Sequence, residues 1–67
     1  MVRVTVNGEP RELSDAVSVA DLVEQLGLTQ RRVAVEINLD IIAREQYASR
    51  RLREGDTVEI VQFIGGG

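Results

Sequence analysis

Apolar and polar residues alternate from the start of the chain, with Arg3 and Thr5 set between Val2, Val4 and Val6. A period of two is what a half-buried strand requires. Asn7-Gly8 follows at once, a strong hairpin signal because both residues tolerate the positive φ of a tight two-residue turn. The return strand is predicted from about Pro10 to Leu13. Pro10 falls at its start or on a sheet edge, where the missing N–H does least harm. Ser14 to Val17 form a connection. The period then changes: Val19, Leu22, Val23 and Leu26 stand at i, i+3, i+4 and i+7, one apolar stripe over two helical turns. Ser18-Val19-Ala20-Asp21 opens this helix as a capping sequence, with Ser18 covering orphan N–H groups and Asp21 complementing the positive end of the dipole. Gly27 suits the left-handed stop, and Leu28 beyond it can fold back onto the last turn.

Alternation returns at Val33, Val35 and Ile37, with Ala34 and Glu36 between them. Asn38-Leu39-Asp40 turns the chain into a short apolar Ile41-Ile42. Glu45 to Ser49 are predicted to form a brief helical turn, and Glu54-Gly55-Asp56 a further turn after Leu52. Thr57 to Ile64 make the longest strand. Its alternation sends Val58 and Ile60 toward the helix and leaves Glu59, Val61 and Phe63 on the opposite face. The order is hairpin, helix, strand, short strand, long strand. One amphipathic helix laid across one face of a mixed four- to five-stranded sheet buries both apolar surfaces in two layers. With the first and last strands parallel at the centre, this α+β arrangement is the ubiquitin-like β-grasp fold.

The chain then changes character. Gly65, Gly66 and Gly67 follow the last strand, so the organisation is a domain over residues 1–64 and a flexible glycine tail over 65–67. Residues without Cβ make a thin, conformationally free segment, three of which carry the terminal carboxylate roughly 10 Å beyond the strand. Such a tail can thread a channel too narrow for side chains. A frayed terminus is the plain alternative.

Composition narrows the chemistry. In 67 residues there is no Cys and no His, and all eight basic residues are Arg. Disulfides are therefore excluded, and the commonest zinc ligands are missing. No metal is expected, since no loop gathers carboxylates at EF-hand spacing. The usual general base, thiol nucleophile and Schiff-base amine are likewise missing, so an independent enzyme is not expected. Ser14, Ser18 and Ser49 have no His to activate them. The α-amine of Met1 is the only amine, which would spare an activated carboxyl on the same chain from capture by lysine. A compositional bias toward Arg explains the same pattern. The net charge of −3 and the two aromatics, Tyr47 and Phe63, do not suit nucleic-acid binding, which favours a concentrated basic face and stacking rings. No apolar run approaches a membrane span, and no signal peptide is evident, so the chain reads as soluble and cytoplasmic. Val61, Phe63 and Ile64 beside the tail are expected to form an apolar patch for a partner; burial of Phe63 under the sheet's end is the alternative. Tyr47 is expected to cap the core, and Arg44 with Glu45 to form a solvated ion pair.

Three segments, Val35-Glu36-Ile37-Asn38, Ala43-Arg44-Glu45-Gln46-Tyr47 and Leu52 to Ile60 (L-R-E-G-D-T-V-E-I), lead into the terminal glycines. In this combination the chain resembles the ThiS/MoaD family of ubiquitin-like sulfur carriers along essentially its whole length, the ThiS branch above all. The resemblance implies that the Gly67 carboxylate is adenylated by a ThiF-like partner related to ubiquitin-activating enzymes, which uses ATP. It implies that a sulfur donor protein then converts the adenylate to a thiocarboxylate. The sulfur would pass to a ThiG-like thiazole synthase for thiamine, or in the MoaD branch to molybdopterin. No cofactor would be bound by the chain itself. Gly65 adds a third glycine where family members often keep two. A non-covalent β-grasp binding module and covalent protein tagging are the other readings.

Overall fold

The computed structural model describes residues 1–28 and 32–63. The expected Ile64 and the glycine tail, residues 65–67, lie outside the described residues. Strand β1 (Val2–Val6) turns through Asn7-Gly8 into β2 (Glu9–Leu13). Helix α1 (Val19–Gln25) follows, then β3 (Val33–Ile37), β4 (Asp40–Ile42), a 3₁₀ turn (Arg44–Gln46) and β5 (Thr57–Gln62). The five strands lie in the order β2-β1-β5-β3-β4. β1 and β5 are parallel and every other pair is antiparallel. This is the expected β-grasp arrangement, with five strands, and β5 is its middle strand.

Local chemistry accounts for each boundary. Asn7 (φ 50) and Gly8 (φ 84) both take positive φ, so Val6 faces Glu9 across a two-residue turn whose twist matches that of the strands. β2 starts at Glu9, one residue earlier than expected, and Pro10 sits in an edge strand, where its missing donor costs no ladder bond. At the start of α1, Ser18 Oγ accepts the Asp21 N–H at 3.1 Å while Asp21 Oδ2 accepts the Ser18 N–H at 3.0 Å, a reciprocal capping box. At its end, Gly27 (φ 74) donates to Glu24 O and Leu28 donates to Val23 O, each at 3.0 Å. These two bonds close a Schellman motif, which needs the left-handed residue that glycine supplies.

Val19 and Leu22 of α1 are wholly buried and Val23 nearly so. They pack on the inward residues of the sheet, among them Val4, Val35, Ile37 and Val58, with Leu52 closing the end of the core. Leu26, Leu28 and Tyr47 are partly buried against the same cluster, as expected of Tyr47. Arg44 and Glu45 are both exposed, but the expected pair between them is not among the ion pairs of the described residues. Adjacent residues in a 3₁₀ turn point their side chains apart. No helix among the described residues is long and apolar enough to cross a membrane.

Candidate functional site

The candidate site is the outer end of β5 and the sheet face beside it. β5 is paired on both sides, but differently along its length. Phe63 donates its N–H to Arg32 O, and Asn38 donates its N–H to Thr57 O, both at 2.9 Å. Odd-numbered residues of β5 therefore point their backbone groups toward β3, and even-numbered ones toward β1. On the β1 side, Thr5 donates to Asp56 O at 2.9 Å and Asn7 donates to Val58 O at 2.8 Å. There β1 turns away into its hairpin.

The side chain of Asn7 takes over where the backbone of β1 leaves. Its Oδ1 accepts the Ile60 N–H at 2.7 Å and its Nδ2 donates to Ile60 O at 3.2 Å. A carboxamide has one acceptor and one donor in the spacing of a peptide group, so it acts as one more rung of the ladder. Asn38 plays a matching part from the other side, its Oδ1 accepting the Thr57 N–H at 2.9 Å. Asn38 Nδ2 also donates to Asp56 Oδ1 at 3.0 Å. Asp56 is buried, and its Oδ2 accepts the Arg53 N–H at 2.8 Å and faces Arg50 Nη2 at 3.4 Å. Both asparagines are the first residues of hairpin turns, at φ 50 and 51. The two turns thus brace β5 from either side.

This bracing fixes which residues face outward. Val58 and Ile60 are buried under α1, whereas Val61 is 56% exposed and Phe63 59% exposed. Phe63 is therefore not buried under the sheet's end. The outward neighbours of Val61 are Ala34, opposite it on β3, and Glu59, whose partner is Glu36. Beyond Glu36 lies Ile41 of β4, 79% exposed. Arg32 meets Phe63 through its backbone. Of the residues expected at the site, the structure places Val61 and Phe63 side by side on this face; Ile64, Gly65, Gly66 and Gly67 continue from it outside the described residues. The Met1 ammonium contacts Asp15 Oδ1 at 2.6 Å. Hydrogen bonding to Asp15, with its negative charge, raises the pKa of that amine above its usual value.

Sequence reasoning missed the bracing residues. Asn7 and Asn38 were legible only as turn formers, since the pattern along the chain cannot show what a turn's side chain meets across the sheet. The signal available was that both turns open on Asn, the residue that couples tolerance of positive φ to a peptide-like side chain.

Comparison with known proteins bears on the same stretch. Residues 4–67 match the ThiS family. The chain is 36% identical to the sulfur carrier protein ThiS of Thermus thermophilus over 64 residues, covering 96% of this chain and 98% of that one. It is 44% identical over 66 residues to a protein of Paramagnetospirillum magneticum named thiazole synthase, covering 98% of this chain but only 20% of the other. Against such relatives the chain spans about a fifth of their length. The crystal structure of the thiamine biosynthesis protein ThiS from Geobacter metallireducens superimposes with a TM-score of 0.82 at 33% identity, covering 98% of this chain and all of that one. With the fold, the order of its elements and the match through Gly67 in agreement, the chain belongs to the ThiS family.

Proposed function

We propose that this chain is a sulfur carrier for the thiazole of thiamine, a protein substrate and not a catalyst. The single observation that carries the reading is the family match running through residue 67, which takes in the glycines that follow β5. The Gly67 carboxylate is the reacting group. A carboxylate is a poor electrophile until one of its oxygens becomes a leaving group. A ThiF-like adenylyltransferase supplies that activation: the carboxylate oxygen attacks the α-phosphorus of ATP, pyrophosphate departs, and an acyl adenylate forms. A persulfide sulfur on a donor protein then adds to the acyl carbon and AMP leaves, giving an acyl disulfide. A thiol attacks the donor-side sulfur, forming a new disulfide with the donor and releasing the thiocarboxylate, whose sulfur passes to a ThiG-like thiazole synthase. ATP belongs to the activating partner, and the chain needs no cofactor of its own.

β5, held at Ile60 by Asn7 and bonded at Phe63 to Arg32, suits this work. Tail chemistry needs a rigid point of departure, so that docking of the domain sets where the carboxylate arrives. Val61 and Phe63 offer the docking patch at that point, with Ile64 next in the chain. Gly65 and Gly66 are the thin tether. The likeness to proteins named thiazole synthase supports the choice of acceptor. A cytoplasmic setting follows from the same reading, since ATP-dependent activation takes place there.

ATP–pyrophosphate exchange by the activating enzyme tests the role of the tail. Gly67→Ala places a methyl group at the reacting end, and is expected to leave folding unchanged while cutting exchange by at least about a hundredfold. Undiminished exchange with Gly67→Ala would contradict the assignment.

A further inference from the structure

Beside the Val61–Phe63 patch, two glutamates stand opposite each other in the sheet register. Glu36 of β3 and Glu59 of β5 are direct cross-strand partners. The register set by Phe63 and Arg32 makes them a hydrogen-bonded pair, with Cα atoms about 5.5 Å apart in such pairs. Like charges in this position destabilise a sheet. An arginine bridging them would remove the penalty within the domain. Among the described residues, however, the ion pairs are Met1–Asp15, Arg3–Glu12 and Arg50–Asp56, and none reaches either glutamate.

Three further features share this face. Ile41 flanks Glu36 and Val61 follows Glu59 at the next outward position of β5, both well exposed. Glu36 and Glu59 line a depression of about 390 Å³ together with Asn38, Leu39 and Thr57. Leu39, at its wall, is 87% exposed and sits at φ 75, a conformation that costs a residue with a Cβ. An isolated domain gains nothing from exposed Ile41, strained Leu39 or opposed glutamates. A partner that covers this face gains from all three.

We propose that the face formed by Ile41, Glu36, Glu59 and Val61 receives an arginine or lysine, set among apolar groups, on the protein that adenylates the tail. The inference rests on the carrier reading and gives its docking step a chemistry. One guanidinium placed between the two carboxylates satisfies both by charge-assisted hydrogen bonds and relieves their repulsion at the moment of docking. The apolar neighbours exclude water around that contact and strengthen it. An acidic surface is rejected by the same pair, which makes the face selective as well as adhesive.

The test measures ATP–pyrophosphate exchange by the activating enzyme as the concentration of full-length chain is varied. Wild type is compared with Glu36→Gln, Glu59→Gln and the double variant. Glutamine keeps the shape and removes the charge. The double variant is expected to raise KM for the carrier about tenfold with kcat little changed, each single variant less. Added sodium chloride should raise the wild-type KM more steeply than that of the double variant. Thermal melting of the free double variant should occur at the wild-type temperature or above it, because a repulsion is gone. A double variant with KM within about twofold of wild type, or with the wild-type salt slope, overturns the inference while leaving the carrier reading intact. A double variant that melts lower overturns it too, since the pair would then hold the sheet together. A wild-type chain that supports no exchange at all removes the carrier reading, and this inference with it.

Discussion

At the scale of single residues, Asn7 and Asp56 do most to hold the candidate site in place. Asn7 both forms a turn and pairs with Ile60, and the two roles are separable. Asn7→Gly retains the positive φ of the turn but removes both bonds to Ile60. It is expected to cost about 1–2 kcal/mol, a fall in melting temperature of roughly 5–15 °C for a domain this small. The Ile60 amide should also exchange with solvent faster than in wild type, as read by NMR. An unchanged exchange rate would mean that the Asn7 side chain does not hold the strand. Asp56 carries a heavier load, because its buried carboxylate accepts from Asn38 Nδ2, the Arg53 N–H and Arg50 Nη2 together. Asp56→Ala strands the Asn38 carboxamide and the Arg53 N–H and is expected to cost about 3 kcal/mol in denaturant titration. Neither role was readable from sequence. Asp56 looked like one third of a Glu-Gly-Asp turn, and only the packed sheet shows that its carboxylate joins that turn to the β3–β4 hairpin.

At the scale of elements, most of the fold was legible. Period-two alternation marked β1, β3 and β5. The Ser18–Asp21 capping sequence and the Gly27 stop marked both ends of α1, and each formed the bonds expected of it. Boundaries moved where pairing extends past the pattern, as at Glu9, whose partner Val6 draws it into β2. The strand expected to run to Ile64 is described as far as Gln62. Beyond that point only Phe63 remains described, and its N–H bonds to Arg32 O in the register of the β3–β5 pair. The two hairpins use unequal chemistry. Asn7-Gly8 is the favoured pair for such a turn, whereas Asn38-Leu39 forces a leucine to φ 75. Leu39→Gly is therefore expected to stabilise the domain by about 1 kcal/mol. A lower melting temperature for this variant would show that Leu39 packs usefully in the free protein.

At the scale of the whole molecule, a central strand braced by two hairpin turns leads toward the glycines with Val58 and Ile60 turned into the core and Val61 and Phe63 turned outward. The helix and the inward side chains supply the stability, leaving the opposite face to other uses. Phe63→Asp is expected to weaken binding to the activating enzyme about tenfold or more, with melting changed by no more than about 2–4 °C. A large loss of melting temperature would place Phe63 in the core after all. The tail, residues 65–67, lies outside the described residues, and its proposed role rests on residue type alone, three successive glycines without Cβ. Its docking chemistry was not legible, since the opposition of Glu36 and Glu59 depends on a register between strands more than twenty residues apart in sequence. The measurement that bears most directly on the whole account is the intact mass of the chain after incubation with the activating enzyme, ATP and a sulfur donor. A sulfur carrier gains the mass difference between sulfur and oxygen, located by fragmentation at Gly67. An unchanged mass, under conditions where the activating enzyme adenylates its carrier, would contradict the carrier reading.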